Sequence, residues 1–280
     1  MAAEALIINV APTGMVPTKE MTPHVPISTD EILDDVARCH ARGAAIVHVH
    51  ARDERGRPSH RAEHCAPIVA GIRAIDPQLV VCVTCSGRFA PDVDARAEVL
   101  TLEGAAKPDM GSLTLGSNNF AKQASVNAPD TIRELALRMR DRGIVPELEV
   151  FEPGMVAFGR HLVAQRLIDP PCYVNVLLGN PGTARLSPGS LGAFLAEMPD
   201  DWTWALAGIG RHQLAANAMA IAAGGHVRVG LEDNVWWDGA RTTPATNEQL
   251  VARVARLADE LERPLATPAD VRRLLRLPRG

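Results

Sequence analysis

The sequence predicts a single (β/α)8 TIM barrel that spans residues 1–280 and carries a short extra helix at its C-terminal end. Strand-like apolar runs alternate with helical patterns along the whole chain, eight such runs can be distinguished, and 280 residues is close to the usual length of this barrel. An open doubly wound sheet is the alternative, but it normally has a glycine-rich fingerprint after its first strand. The segment APTG at 11–14 lacks that fingerprint, so the barrel is favoured.

The predicted strands are short runs rich in apolar residues, and each is followed by a gap long enough for a helix. Such gaps allow right-handed crossovers between parallel strands, as the barrel requires. In chain order the predicted strands are 5–10, 44–50, 79–84, 110–115, 144–150, 172–178, 202–208 and 226–232.

Helical spacing of apolar residues fills the gaps between the strands. The first predicted helix, at 29–43, has Thr29 or Asp30 as its N-cap and ends at Gly43. The C-terminal segment 247–277 is broken by prolines, which predicts a last barrel helix followed by the short extra one. The other helices are predicted at 61–76, 129–143, 152–167, 187–198 and 211–225.

Composition and charge indicate small-molecule chemistry. The formal net charge is −4 at pH 7, and the chain has one Tyr, five Phe and four Trp without a long basic run. A nucleic-acid groove needs positive charge and stacking platforms, so no nucleic-acid partner is expected. The N-terminus lacks signal-peptide features and no apolar stretch is long enough for a membrane span, which predicts a cytoplasmic protein without a membrane partner. The five cysteines are an odd number and are expected to be reduced thiols.

Two histidines interrupt the second predicted strand, which reads AAIVHVH. Residues two apart on a strand face the same side, so His48 and His50 converge. Strand eight of a closed barrel lies next to strand one and near strand two, which brings Glu232 within reach of both. Two His and one Glu form a three-ligand set with open positions, typical of catalytic zinc and also of ferrous iron. Two hydrogen-bonded histidines without a metal are the alternative.

Two charged residues accompany these candidate ligands on strand eight. Asp233 directly follows Glu232, and Arg228 shares the strand parity of Glu232. The arginine could hold Asp233 ionised so that it accepts a proton, or it could bind a substrate carboxylate. A structural salt bridge at the barrel rim is the alternative, but the number of polar groups at one mouth favours a catalytic role.

Other strand ends carry weaker signals. Glycine-rich turns, GNPGT and GIGRH, follow strands six and seven and expose backbone N–H groups that could hold a phosphate or merely serve the strand-to-helix turn. Cys82 and Cys85 form the sequence CVTC, but residues three apart on a strand face opposite ways, so a structural role is favoured over metal or redox use.

Several segments closely resemble the β-keto acid cleavage enzyme family. They are HVHARDERGRPS, PELEVFEPGMV, VLLGNPGT, WALAGIGRHQ, GGHVRVGLEDN and RPLATPADVR. They occur in the order and with the spacing of the family, nearly from end to end of the chain. The resemblance implies a (β/α)8 barrel, usually a homotetramer, that converts a β-keto acid and acetyl-CoA into acetoacetate and a new acyl-CoA.

The resemblance also assigns roles to individual residues. It implies one zinc ion bound by His48, His50 and Glu232. Asp233, supported by Arg228, is implied as the base that removes a proton from the carbon between the carboxylate and keto groups. Glu149 is implied as a second polar group near that base.

Departures from the family pattern bear on the substrate. Val16 stands where members that act on amino substrates carry a glutamate, so an ammonium substrate is not expected. In the expected substrate-binding segment after strand three, Thr84 replaces a serine and Ser86 replaces a glycine, while Gly87 keeps a glycine. The first two changes retain or add a hydroxyl group.

Two further residues belong to the expected substrate-binding set. Ser112 stands where members usually have threonine, which is a tolerable exchange. Arg88 either faces a distal carboxylate of the substrate or lies at the solvated rim, and the rim is favoured. The keto acid is therefore expected to be neutral or anionic beyond its keto group.

Two other functions stay open from the residues alone. One is a zinc-dependent aldolase or hydrolase on the same barrel, which would need no CoA. The other is a non-catalytic barrel that binds a metabolite, for which Asp233→Asn would change ligand affinity only.

Overall fold

Eight parallel strands close into a barrel in the computed structural model, which describes residues 4–277. Each strand pairs with its neighbours in chain order, and the last strand pairs with the first through the register Asn9 to Arg228. The predicted (β/α)8 barrel is confirmed; the first and last three residues of the expected 1–280 span lie outside the described residues. The strands are β1 Ile8–Val10, β2 Ile46–Val49, β3 Val80–Val83, β4 Met110–Thr114, β5 Val145–Val150, β6 Tyr173–Leu178, β7 Thr203–Gly208 and β8 His226–Val229.

Helices occupy the connections between the strands. The β3 to β4 connection holds the short helix α3 and two 3-10 turns, for which the sequence pattern indicated no helix. The helices are α1 Thr29–Ala41, α2 Ala62–Ile75, α3 Val93–Ala97, α4 Pro129–Asp141, α5 Pro153–Ala164, α6 Pro188–Glu197, α7 Gln213–Ala222, α8 Asn247–Glu260 and α9 Pro268–Leu274. None of the helices described between residues 4 and 277 combines the length and apolarity needed to cross a bilayer.

The N-cap of α1 differs from the prediction. Ser28, rather than Thr29 or Asp30, caps the helix: its hydroxyl accepts a hydrogen bond from the Glu31 N–H at 3.2 Å. The Glu31 carboxylate in turn accepts from the Ser28 N–H at 3.1 Å. This reciprocal capping box satisfies two N–H groups at once, which the sequence TDE alone did not reveal.

The predicted extra helix, α9, covers the amino-terminal end of the barrel. Val271 and Leu275 of this segment pack in one apolar cluster with Ile46 and Met110 from the strands. Arg272 anchors the helix through a buried ion pair with Asp109 at 2.9 Å. Because this end is covered, the opposite end, where the strands finish, is left for a site.

Strand β8 ends three residues earlier than the sequence predicts. Gly230 has a φ of +153°, and a Cβ atom there would lie 2.2 Å from the Ala11 carbonyl oxygen, so only glycine fits this turn. Glu232 and Asp233 therefore lie on the turn after β8 and not on the strand. The parity argument that related Glu232 to Arg228 does not hold, although the two side chains do meet.

Candidate metal centre and active site

Strand β2 and the turn after β8 bring three potential metal ligands together. The Nε2 atoms of His48 and His50 lie 3.2 Å apart, and Glu232 Oε1 lies 3.1 Å from His50 Nε2. Both imidazoles are almost completely buried. The ligand atoms of the three residues all lie within 4.8 Å of one another. The predicted convergence of these residues is therefore present in the structure.

These residues fit a divalent cation. Two nitrogen ligands about 2.0–2.1 Å from a tetrahedral ion are about 3.3 Å apart, close to the distance between the two Nε2 atoms. Glu232 Oε2 is buried and has no hydrogen-bond partner among the described residues. Burial lowers the pKa of His50, so this imidazole is neutral and its lone pair is available. Nitrogen and oxygen donors with an open side suit zinc and other borderline metals.

Glu147, on β5, orients the first histidine. One of its carboxylate oxygens lies 2.5 Å from His48 Nδ1, and the other accepts from the Asn9 amide at 2.6 Å. Burial works to raise the pKa of Glu147, but its interaction with His48, the charge of Arg228 and the hydrogen bond from Cys82 outweigh burial and bring the pKa to about 2. The ionised carboxylate holds a proton on Nδ1 and leaves Nε2 to face the ligand set, as outer carboxylates do at metal sites.

Cys82 lies against the same carboxylate. Its thiol donates to Glu147 Oε2 at 3.2 Å, and His48, Cys82 and Glu147 together form a second group close enough to hold a metal. Burial raises the pKa of the Cys82 thiol well above its usual range, so the sulfur keeps its proton. This geometry agrees with the structural role expected for Cys82.

Arg228, on β8, connects the candidate base to the ligand set. Its guanidinium lies 3.1 Å from Asp233, 3.2 Å from Glu149 and 2.8 Å from Glu232. Thr114 donates a further hydrogen bond to Glu149 at 2.7 Å. All of these groups are buried or nearly so, which differs from the exposed rim salt bridge considered as the alternative.

The environment of Asp233 favours proton transfer. Burial raises the pKa of Asp233 above its usual range, Arg228 opposes this effect, and the neighbouring Glu232 adds to it. A more basic carboxylate is a better proton acceptor. The backbone carbonyl of Asp233 accepts from the Gly210 N–H at 2.7 Å, so the GIGRH turn helps to position this residue.

In the two glycine-rich turns, part of the backbone N–H groups donate hydrogen bonds within the protein. In GNPGT, the Gly179 N–H donates to the Ala184 carbonyl at 3.0 Å and the Thr183 N–H donates to the Asn180 carbonyl at 3.2 Å. These bonds hold the strand-to-helix turn, whereas the Asn180 and Gly182 N–H groups have no acceptor among the described residues, so phosphate binding at this turn stays a prediction.

A cavity of about 600 Å³ opens above the ligand set at the carboxyl ends of the strands. Ser112 does not reach it: its hydroxyl accepts from the Cys85 N–H at 3.1 Å inside the barrel wall. Gly87 does not line it either, because it packs against Arg96, 2.7 Å from where a Cβ atom would lie. The predicted residues that do line the cavity are Val16, His50, Thr84, Ser86, Arg88, Glu149, Arg228, Glu232 and Asp233.

Arg88 is not the solvated rim residue that the sequence favoured. It is half-buried, and its guanidinium carbon lies 3.4 Å from the centre of the Phe120 ring inside the cavity. The sequence analysis also missed Phe120 itself, because the segment NFAKQ carries no periodic or strand-end signal. The sequence pattern also assigned no role to Glu147, although a charged residue on a buried strand, two positions before Glu149, is a signal that could have singled it out.

Comparisons with known proteins show which proteins this chain resembles. A family model described as beta-keto acid cleavage enzyme matches residues 5–277. A protein of Fusobacterium nucleatum named 3-keto-5-aminohexanoate cleavage enzyme is 35% identical over 275 residues, covering 98% of both chains. A protein of Cupriavidus necator named 3-oxoadipate:acetyl-CoA acetyltransferase is also 35% identical over 275 residues, covering 97% of this chain and 95% of that one.

A solved structure supports the fold. The ternary complex of ObcA with a C4-CoA adduct and oxalate superposes with a TM-score of 0.80 at 21% sequence identity. The match covers 91% of this chain and 68% of the other. At this identity the likeness concerns the barrel architecture alone.

Proposed function

This chain belongs to the beta-keto acid cleavage enzyme family, and we propose that it is a zinc-dependent enzyme that converts a β-keto acid and acetyl-CoA into acetoacetate and a new acyl-CoA. Its relatives are named as transferases and cleavage enzymes for keto acids. The observation that carries the proposal is the joint placement of a three-ligand metal set and a basic carboxylate in one cavity. His50, Glu232 and Asp233 all line it, and His48 lies directly behind.

The residues of the cavity have separate roles in holding the metal and the substrate. His48, His50 and Glu232 would hold a divalent ion, which when bound would supply a Lewis acid to stabilise negative charge on the keto oxygen. The Thr84 hydroxyl accepts from the Ser86 N–H at 3.2 Å, so its own proton is free to be donated to a substrate oxygen. These groups orient the keto acid beside the base.

Asp233 starts the reaction by taking a proton from the carbon between the carboxylate and keto groups. Arg228, 3.1 Å away, keeps Asp233 in place and balances the charge of Glu149 on its other side. The resulting carbanion attacks the thioester carbon of acetyl-CoA, and the CoA thiolate leaves. This step forms the new carbon–carbon bond.

The second half of the reaction breaks the old carbon–carbon bond. The CoA thiolate adds to the original keto carbon, and the bond between that carbon and the central carbon breaks. The electron pair stays on the central carbon of acetoacetate, which recovers its proton from Asp233. One acyl-CoA replaces the other, so no oxidant or covalent enzyme intermediate is needed.

The test is an assay of acetoacetate release from acetyl-CoA and a panel of short neutral, anionic and cationic β-keto acids. Acetoacetate and a new acyl-CoA should form with at least one acid, and both Asp233→Asn and the metal-stripped protein should lose the activity. If every acid is inert while zinc is bound at full occupancy, the proposal fails, and an aldolase or a metabolite-binding barrel becomes the better reading.

Two further expectations from the sequence stay predictions. Size-exclusion chromatography with light scattering tests the homotetramer, and fractionation of the producing cells tests the cytoplasmic location.

A further inference from the structure

Arg88 places a guanidinium in the cavity, and no carboxylate among residues 4–277 forms an ion pair with it. Its Nε atom is buried and has no hydrogen-bond acceptor among the same residues. The Arg88 guanidinium makes a cation–π contact with the face of the Phe120 ring. A buried N–H donor without an acceptor is unfavourable, so the position suggests that a ligand completes the interactions of this guanidinium.

Other buried arginines nearby are already bonded to the protein. Arg52 donates to the carbonyl oxygens of Gly14 and Pro17 at 2.6 and 3.0 Å. Arg228 pairs with three carboxylates. The Nε of Arg52 also lacks an acceptor, but both of its terminal nitrogens are bonded, whereas neither terminal nitrogen of Arg88 has a protein acceptor among residues 4–277.

The surroundings of Arg88 hold it in one orientation. Its guanidinium stacks on Phe120, and Phe120 meets Phe151 edge to face with 5.6 Å between ring centres. The Gln123 amide donates to the Arg88 carbonyl oxygen at 2.8 Å, which fixes the backbone. A guanidinium that is fixed before binding loses less conformational entropy when an anion arrives.

The position of this cation favours the keto acid over the phosphates of CoA. Arg88 lines the same cavity as Glu232, Glu149 and Asp233, the residues proposed to hold the metal and to act on the keto acid. In CoA, the long pantetheine arm separates the phosphates from the thioester that must reach the same carbon. Val16 lines the same cavity as an apolar residue and offers no acid for an ammonium group.

We infer that Arg88 binds a second anionic group of the keto acid, so that the substrate is a 3-oxo dicarboxylic acid. This inference rests on the proposed function and narrows its substrate class. The guanidinium and a carboxylate form charge-assisted hydrogen bonds, bidentate in the best geometry, in a partly buried site.

The experiment compares three six-carbon β-keto acids that differ only beyond the keto group. They are 3-oxoadipate, which is anionic there, 3-oxohexanoate, which is neutral, and 3-keto-5-aminohexanoate, which is cationic. kcat/KM is measured for each with wild type, Arg88→Met and Arg88→Lys. Arg185→Met is the matched control, since Arg185 is exposed and lies outside the cavity lining.

Wild type and Arg185→Met should prefer 3-oxoadipate. Arg88→Met should lower kcat/KM for 3-oxoadipate by roughly 10- to 100-fold, as expected for lost hydrogen bonds to a charged group, and leave 3-oxohexanoate nearly unchanged. Arg88→Lys should recover part of the loss. The inference is overturned if Arg88→Met affects the three acids equally, or if its effect falls on the KM for acetyl-CoA instead.

A binding measurement separates this inference from the proposed reaction. Calorimetry with adipate and hexanoate, which do not react, reports the second carboxylate without turnover. Loss of the adipate preference in Arg88→Met supports the anionic subsite even if no acid releases acetoacetate, a result that would defeat only the proposed reaction. Equal binding of adipate by wild type and Arg88→Met overturns the inference.

Discussion

Replacing Gly14 by alanine should weaken metal binding by displacing Glu232. Gly14 follows β1 with a φ of +65°, and an added Cβ atom would lie 2.5 Å from Glu232 Cγ and 3.0 Å from Glu232 Cα. The backbone cannot easily move away, because Arg52 holds the Gly14 carbonyl oxygen at 2.6 Å. The Glu232 side chain must therefore move instead.

The magnitude follows from two separate effects. Alanine in a left-handed conformation costs about 1–2 kcal/mol of stability. Ordinary Cβ contacts begin at 3.4 Å, so the Glu232 side chain has to shift by about 0.9 Å to relieve a contact of 2.5 Å. Changes in the residues that support a metal ligand typically lower metal affinity by about 10- to 100-fold, and we expect Gly14→Ala to lower zinc affinity by this amount.

Competition with a chromogenic zinc chelator measures the affinity, and chemical unfolding of the metal-free proteins measures the stability. Gly104→Ala is the matched control, because Gly104 has a φ of +60° with nothing within 4 Å of its added Cβ. Both variants should lose about 1–2 kcal/mol from backbone strain, but Gly14→Ala alone should lose zinc affinity. If both bind zinc as tightly as wild type, Glu232 is not a ligand and the reasoning is refuted.

Three further predictions concern single side chains. Glu147→Gln removes the charge that orients His48 and should weaken zinc binding by about 10- to 100-fold in the chelator assay. Asp233→Asn should lower the rate of acetoacetate release by about 10²- to 10⁴-fold, the usual contribution of a general base, while zinc affinity changes little. Burial, aided by the charge of Arg263, lowers the pKa of His226 to about 3. Its pKa in the unfolded chain is about 6.5, so the unfolded chain binds the proton more readily. The stability from neutral His226 is therefore complete above pH 6.5 and declines below it by about 1.4 kcal/mol per pH unit. Between pH 6.5 and 5, the free energy of unfolding of His226→Asn should fall by roughly 2 kcal/mol less than that of wild type, measured by urea unfolding.

Each of these predictions has an outcome that would contradict it. His226 Nδ1 accepts from the Ile7 N–H at 3.0 Å, and asparagine offers an oxygen near the same place, so the variant removes the titration with little loss of bonding. If His226→Asn keeps the wild-type pH dependence, another group carries it. Unchanged zinc affinity in Glu147→Gln would mean that the histidine keeps its orientation without the carboxylate. Full activity in Asp233→Asn would assign the base to another residue.

The local sequence pattern was sufficient to predict the architecture and much of the site. The run AAIVHVH predicts a strand with both histidines on one face, and β2 holds them so that their Nε2 atoms are 3.2 Å apart. The periodic apolar runs predicted the barrel strands, and the prolines near the C-terminal end predicted α9. These successes share a physical cause: the repeat of a strand or a helix is written in consecutive residues.

The sequence failed where the outcome depends on loops or on distant segments. The strand pattern ran through Glu232, but the contact between Gly230 and Ala11, remote in sequence, ends β8 at Val229. Ser112 stands at an expected substrate-binding position, but it lies in the barrel wall, where its hydroxyl accepts a hydrogen bond from the Cys85 N–H.

The sequence by itself determined the barrel, the pair of histidines and the acidic residues after the last strand, because strand periodicity and chain order place those groups at one mouth. Only the tertiary structure decided that Glu147 supports His48 and that Arg88 turns into the cavity onto Phe120. Glu147 lies 99 positions from His48, and no local pattern encodes their meeting. The direction of Arg88 depends on how two irregular loops pack against each other, and that packing belongs to the whole fold rather than to either segment.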